Sequence, residues 1–259
     1  MSEKKMYPIV ECYNVDEEYL YNKTYLFIQG YATGRGFKNT LKALPLARKI
    51  HNGQYRKGLV DINGEKVKLP YILHCLKVCS TLISLNLPLS DEELDILYTC
   101  ALLHDTLEDG EDFFPKGGIE YEQDYDFPEE VTKTIQLLSK HTGADEYELN
   151  AYFNAIKRNK LALLIKLADR SHNVEDLYNM KNIPKYIKET RDYFICKGGI
   201  CSYAKANYPE ITSGVTILKS KILSLTEATE VVMLRQAQIL EEKDREIAEL
   251  KEKLKKYEQ

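Results

Sequence analysis

Apolar positions recur through the middle of this chain at three- and four-residue intervals, the period of helices that bury one face. The spacing predicts helices over roughly 70–86, 91–108, 128–140, 146–158 and 160–179. Another is expected to open at Pro45 in "PLARKIH", because proline suits a first helical turn. The stretch "NGQYRKGLVDINGEKVKLP" breaks this period, and Gly58, Asn63-Gly64 and Pro70 mark a turn or small hairpin near 58–69. Residues 1–38 are tyrosine-rich and read as irregular, with "YATGRGF" as a loop. The stretch 110–127 is longer than a simple connection needs. The expected fold class is all-α, a helical bundle with a small hairpin insertion.

The tail has a different pattern. From about Thr226 it is built of Glu, Lys, Leu, Ile and Ala without Gly or Pro. Met233, Gln236, Leu240, Lys243, Ile247, Leu250, Leu254 and Tyr257 alternate by three and four, the seam of a heptad repeat. A C-terminal coiled coil joining copies into a homo-oligomer is the expectation, with a single solvated helix as the alternative. The division expected is 1–38 as an extension, 39–215 as the main domain and 216–259 as the helical tail.

Composition narrows the partners. The chain has 259 residues, 44% hydrophobic and 29% charged, which suits an ordinary globular protein with ample core. A net charge of −4 exerts no global pull on nucleic acid, so an anionic ligand must be met by a local basic cluster. Six cysteines form neither a CxxC nor a disulfide-like framework. No apolar run reaches membrane-spanning length and "MSEKKMYPIV" lacks a signal-peptide core. A cytoplasmic protein without nucleic-acid or membrane partners is expected.

The densest chemistry lies in "ALLHDTLEDG", residues 101–110. On one continuous helix His104 would stack on Glu108 and Asp105 on Asp109, all within an arc of about 140°. Three carboxylates on one face repel each other unless they share a cation. Imidazole plus carboxylate is a ligand set for Mn, Fe or Zn. Taken alone, these residues fit equally a solvated acidic helix end beside a core histidine. Two other stretches offer partners: His74 on an apolar helix in "PYILHCLKV", and Asp169 ending the apolar run of "LALLIKLADRSHN". Asn173 and Asp176 follow Asp169 on one stripe at i+4 and i+7. Two imidazoles and two carboxylates would leave coordination positions open, the mark of a catalytic rather than a structural metal.

His…His-Asp…Asp on successive helices resembles the HD superfamily of metal-dependent phosphohydrolases. More narrowly, "ARKIHNGQYRK", "PYILH", "ALLHDTLED" and "IKLADRSHN", in that order over roughly residues 40–180, are similar to the hydrolase domain of RelA/SpoT-type alarmone hydrolases. Those enzymes remove pyrophosphate from the 3′ position of guanosine tetra- and pentaphosphate using Mn. The resemblance implies an HD-domain bundle in which His74, His104, Asp105 and Asp169 hold Mn, or another divalent ion such as Fe, Zn or Ni. It implies that Glu108 and Asp109 position and activate the attacking water. Arg56 and Lys57 match the basic pair at the pocket mouth, Asn173 a nucleoside contact, and His51 a first-motif histidine taken as structural. His141 and His172 have no counterpart role and read as surface or supporting residues.

The chain also departs from that pattern. Twelve residues separate Lys57 from Pro70 where the family has a few, and the interval from His74 to His104 is expanded. Asp176 replaces a small hydroxyl residue near the nucleoside, so a negative charge would bear on base or phosphate preference. No synthetase sequence follows, which makes a stand-alone hydrolase the expectation. A non-catalytic nucleotide-sensing module signalling through the coiled coil, or another HD nucleotide phosphohydrolase, is the alternative.

Overall fold

The computed structural model describes residues 17–56, 60–62, 65–109, 125–140, 143, 145–179 and 182–257. Its first element, α1 (Glu17–Arg35), lies where the sequence reads as irregular. Its tyrosines and two glycines are poor helix formers, but Tyr21, Tyr25, Ile28 and Ala32 repeat at i, i+4, i+7 and i+11. That stripe packs into the core, with Ile28 and Ala32 fully buried, and tertiary packing outweighs propensity. Thr33 to Arg35 of "YATGRGF" form its last turn. Gly36 then takes the left-handed φ of +73° and Phe37 N–H donates to Ala32 O at 2.9 Å, a glycine C-cap.

Helix α2 (Lys38–Ile50) begins seven residues before Pro45, which sits inside the helix rather than at its start. What starts it comes from a distant part of the chain. The Asp95 carboxylate accepts from the Asn39 and Thr40 backbone N–H groups at 3.1 and 2.8 Å, and from Thr40 Oγ1 at 2.8 Å. An acceptor on another helix thus meets the orphan donors of the first turn.

A hairpin follows, β1 (Val60–Ile62) antiparallel to β2 (Glu65–Val67), with Val60 opposite Val67. Its Asn63-Gly64 corner lies outside the described residues. Then come α3 (Ile72–Ser84) and α4 (Asp91–Leu103), the latter started by a Ser90/Glu93 capping box. The short α5 (Thr106–Asp109) precedes α6 (Glu129–Leu138) and α7 (Glu146–Arg158), which opens on an Asp145/Glu148 capping box. Helix α8 (Lys160–Asn173) continues as a 3₁₀ turn, Val174–Asn179. After α9 (Ile183–Glu189) the chain widens into a π turn, Thr190–Ile195, before α10 (Ile200–Asn207) and α11 (Thr212–Tyr257).

Helix α8 is the axis of the bundle. Every position from Leu161 to Ser171 except Lys166 is buried, because α3, α4, α6, α7 and α11 surround it. Arg170 is compensated inside: its guanidinium pairs with Glu189, donates to Thr190 Oγ1 at 3.1 Å, and lies over the Tyr186 and Phe194 rings. Arg170→Met should therefore leave the largely buried Glu189 with only the more distant Lys140, its Nζ 3.6 Å away, and cost about 3 kcal/mol. Urea unfolding would show it as a lower midpoint with an unchanged slope.

Helix α11 starts within the body, not at its edge. Val215, Leu218, Ile222 and Thr226 are buried, and Gly214 lets the helix close on the α3–α4 loop, where a Cβ would meet Leu87 Cδ2 at 2.6 Å. Met233 is the last residue packed against the body, and every residue from Leu234 to Leu254 is exposed.

Candidate metal centre

The helix expected over 91–108 breaks where the chemistry begins. The Leu103 carbonyl accepts from Thr106 Oγ1 at 2.6 Å and the Ala101 carbonyl from His104 Nδ1 at 2.9 Å. Side chains thus capture acceptors that a continuing helix would use, and α4 ends in a turn at His104-Asp105. The expected stacking of His104 on Glu108 is replaced by an outward turn that sends Asp105 across to α3.

Three helices bring four ligand-type side chains together at this turn. His74 comes from α3, His104 and Asp105 from the end of α4, and Asp169 from α8. The two Nε2 atoms are 3.2 Å apart. Asp105 Oδ2 lies 3.0 Å from His104 Nε2 and 3.5 Å from His74 Nε2. Asp169 Oδ1 lies 3.2 Å from His74 Nε2 and 3.9 Å from His104 Nε2. Such spacings are those of atoms that share one cation at about 2.0–2.2 Å. The ligand atoms of His74, His104 and Asp105 all lie within 4.8 Å of one another, so these three could hold a metal ion, and Asp169 faces them from the fourth side.

The tautomers agree with that reading. His104 donates its Nδ1 hydrogen to Ala101 O, which leaves Nε2 a lone pair aimed at the cluster. His74 Nδ1 lies 2.7 Å from His172 Nδ1. Burial, with His74 and Arg56 nearby, pushes the His172 pKa down to about 2, so its ring stays neutral and accepts from His74. Both Nε2 atoms thus become acceptors facing two carboxylates, and only a positive charge reconciles them. Without an ion, a proton on His104 is the positive charge that fills this role. Burial disfavours a charged His104, but the carboxylates of Asp105 and then Asp169 outweigh it and push its pKa up to about 9. Burial likewise opposes ionisation of Asp105 and Asp169. His104 leads the groups that hold the Asp105 carboxyl well below the ordinary range, and Lys166 and His74 do so for Asp169.

Outer partners complete the centre. Tyr71 donates to Asp105 Oδ2 at 2.7 Å, and Lys166 Nζ lies 3.0 Å from Asp169 Oδ2. Asn173 donates to Asp169 Oδ1 at 2.5 Å and accepts from Arg56 Nη1 at 3.0 Å. Arg56 is thereby tied to the centre through one amide. Glu108 stands on α5 beside it, its carboxylate accepting from Lys140 N–H at 2.5 Å. Although Glu108 keeps much of its surface in solvent, its pKa is raised. Burial of the carboxylate end leads; the Asp105 and Asp169 charges add, while Lys140 N–H and Lys166 oppose.

His74, His104, Asp105, Asp169, Asn173, Arg56 and Glu108 are therefore one neighbourhood. Asp109 closes α5 and Asp176 lies in the 3₁₀ turn, with side chains outside the described set, and Lys57 and His141 lie outside the described residues. His51 packs its ring 5.0 Å from Tyr71 and bonds Gln54 Oε1 through Nδ1 at 2.6 Å, so it meets the cluster only through Tyr71 among its described partners.

Tyr71 and Lys166 were not marked by sequence pattern, whereas His172 takes the supporting place that was one of its two expected readings. Lys166, three residues before Asp169, carried a readable i, i+3 signal, while Tyr71 meets Asp105 from another part of the chain. Lys166→Met should loosen Asp169 and weaken metal affinity by about 10–100-fold, with Lys166→Arg recovering part of it. Metal titration at unchanged helix content would decide it.

Residues 71–174 match the model of the HD domain family, a span that holds His74, His104, Asp105 and Asp169. Over 176 residues, 64% of the chain, it is 32% identical to the guanosine-3′,5′-bis(diphosphate) 3′-pyrophosphohydrolase of Borreliella burgdorferi. Over 155 residues, 56% of the chain, it is 30% identical to a chloroplastic rice protein (Oryza sativa subsp. japonica), RSH1, named among the GTP diphosphokinases. The matches span 22% and 16% of those relatives' own lengths. A solved structure of a metazoan ortholog of SpoT, which hydrolyses ppGpp, shares the fold. Its TM-score is 0.51 at 18% identity, covering 74% of this chain and 96% of that one. Over residues 71–174 the chain thus resembles an HD domain, and the relatives it matches include one named for 3′-pyrophosphohydrolase activity.

Proposed function

We propose that this chain hydrolyses the 3′-pyrophosphate of guanosine tetra- or pentaphosphate with a divalent metal, Mn first among the candidates. The observation that carries this is the convergence of His74, His104, Asp105 and Asp169 with Arg56 tied to the same centre through Asn173. Two nitrogen and two oxygen donors suit Mn, and equally admit Fe, Zn or Ni. When bound, such an ion supplies an acidified water and a Lewis-acid contact to a phosphoryl oxygen.

The chain's residues do the rest. Arg56 and Lys57 offer positive charge and a planar guanidinium to the phosphates and base, and Asn173 and Asp176 flank the nucleoside. Glu108, with its raised pKa, takes a proton from the attacking water, and Asp109 orients that water. Water oxygen bonds to the phosphorus next to the ribose, the 3′ oxygen–phosphorus bond breaks, and the 3′ oxygen leaves as a hydroxyl after gaining a proton. Pyrophosphate is the second product. The described cysteines are free thiols, which accords with a reducing, cytoplasmic setting. Among the described residues no helix is long and apolar enough to cross a membrane.

The full chain loaded with Mn, incubated with guanosine tetraphosphate, GTP and other nucleotides, tests this. Pyrophosphate and GDP from the tetraphosphate are expected. Binding without turnover favours the sensing module, and single-phosphate release from a different nucleotide another HD activity.

A further inference from the structure

The exposed part of α11 leaves Leu234, Ile239, Leu240, Ile247, Leu250 and Leu254 each 46–66% exposed, with none of the described residues of the body over them. From Met233 to Tyr257 the helix projects about 36 Å at 1.5 Å per residue. So long an apolar stripe on a free helix calls for a partner.

The charges along the same helix identify it. Residues 241–249 carry five acidic and two basic side chains, a net of −3. Residues 250–257 carry four lysines and one glutamate, a net of +3. The helix is bipolar and matches itself only when reversed. In parallel alignment acidic segment lies beside acidic segment, and the seam residue Lys243 faces Lys243 of the other copy. Antiparallel alignment about a twofold axis between Ala248 and Glu249 sets Ile247 against Leu250 and Lys243 against Leu254. On the flanks of that seam it pairs Asp244 with Lys251 and Glu246 with Lys253, twice each by symmetry.

We propose that α11 beyond Met233 docks against a second copy of this chain as an antiparallel two-stranded coiled coil. In this arrangement Met233, where each helix leaves its body, lies about 46 Å along the axis from its counterpart, so the two HD domains stand at opposite ends.

Light scattering on the full chain gives twice the monomer mass, and Leu240→Asp/Leu250→Asp gives the monomer with the body's helix content retained. Asp244→Lys/Glu246→Lys weakens the dimer about tenfold or more at low salt, and adding Lys251→Glu/Lys253→Glu restores it. Orientation is read from spin labels at Gln238→Cys in a Cys12→Ser/Cys196→Ser background. A separation beyond about 30 Å is expected, since the two labels lie about 21 residues apart along the axis. A wild-type mass other than the dimer's, a dimer that survives the Leu240/Leu250 change, or labels under about 25 Å apart overturns the proposal. None of these readouts depends on hydrolysis, so they stand apart from the proposed activity.

Discussion

Asp105→Ala should abolish metal binding and hydrolysis while the helix content stays largely intact. Among the described residues Asp105 Oδ2 is the only carboxylate oxygen within 3.5 Å of both Nε2 atoms, so its loss removes the oxygen shared by the two rings. Losing a partner that merely touches a ligand costs about 10–100-fold in affinity, and losing the ligand itself should exceed that. The fold should survive because Asp105 lies in the turn after α4, and its deletion relieves crowding with Asp169. Calorimetric metal titration and circular dichroism check both halves. Full metal occupancy in the variant would remove Asp105 from the ligand set.

Glu108→Gln should lower turnover by roughly two to four orders of magnitude with metal retained, the contribution expected of a positioned general base. Glutamine keeps the side chain's length and can still accept from Lys140 N–H, so the pocket's shape is preserved. What it loses is basicity, which in Glu108 is enhanced by partial burial and by the neighbouring carboxylates of Asp105 and Asp169. Single-turnover kinetics at saturating metal is the measurement. Near-normal turnover would transfer the role to Asp109.

The core helices were legible because their apolar period is set by burial, and α3, α4, α6, α7 and α8 fall within the expected spans to a few residues. The cluster's residues stood out because histidine and aspartate at the ends of apolar runs demand compensation. Other features escaped for reasons of distance or weak local signal. Helix α1 is held by packing that its tyrosines and glycines do not advertise. The start of α2 depends on Asp95, fifty-five residues beyond Thr40. The turn at His104-Asp105 arises from side chains bonding carbonyls close to it in the chain, which a periodicity reading smooths over. The acceptor role of His172 exists only because α3 and α8 lie side by side.

The position of α8 has a further consequence, for how different parts of the site breathe. Buried on every side, α8 can expose its amides only when the whole body opens, so deuterium uptake at Leu163–Asp169 should track global unfolding. Glu108 rides a four-residue helix at the rim, with its own side chain exposed, and so few hydrogen bonds should open at lower cost than that core. Asp169, and the imidazoles packed around it, therefore belong to the slowest-exchanging part of the molecule and Glu108, the proposed proton acceptor, to one of the faster parts. Mild denaturant should release the second long before the first, leaving a state that grips its ion but turns nothing over.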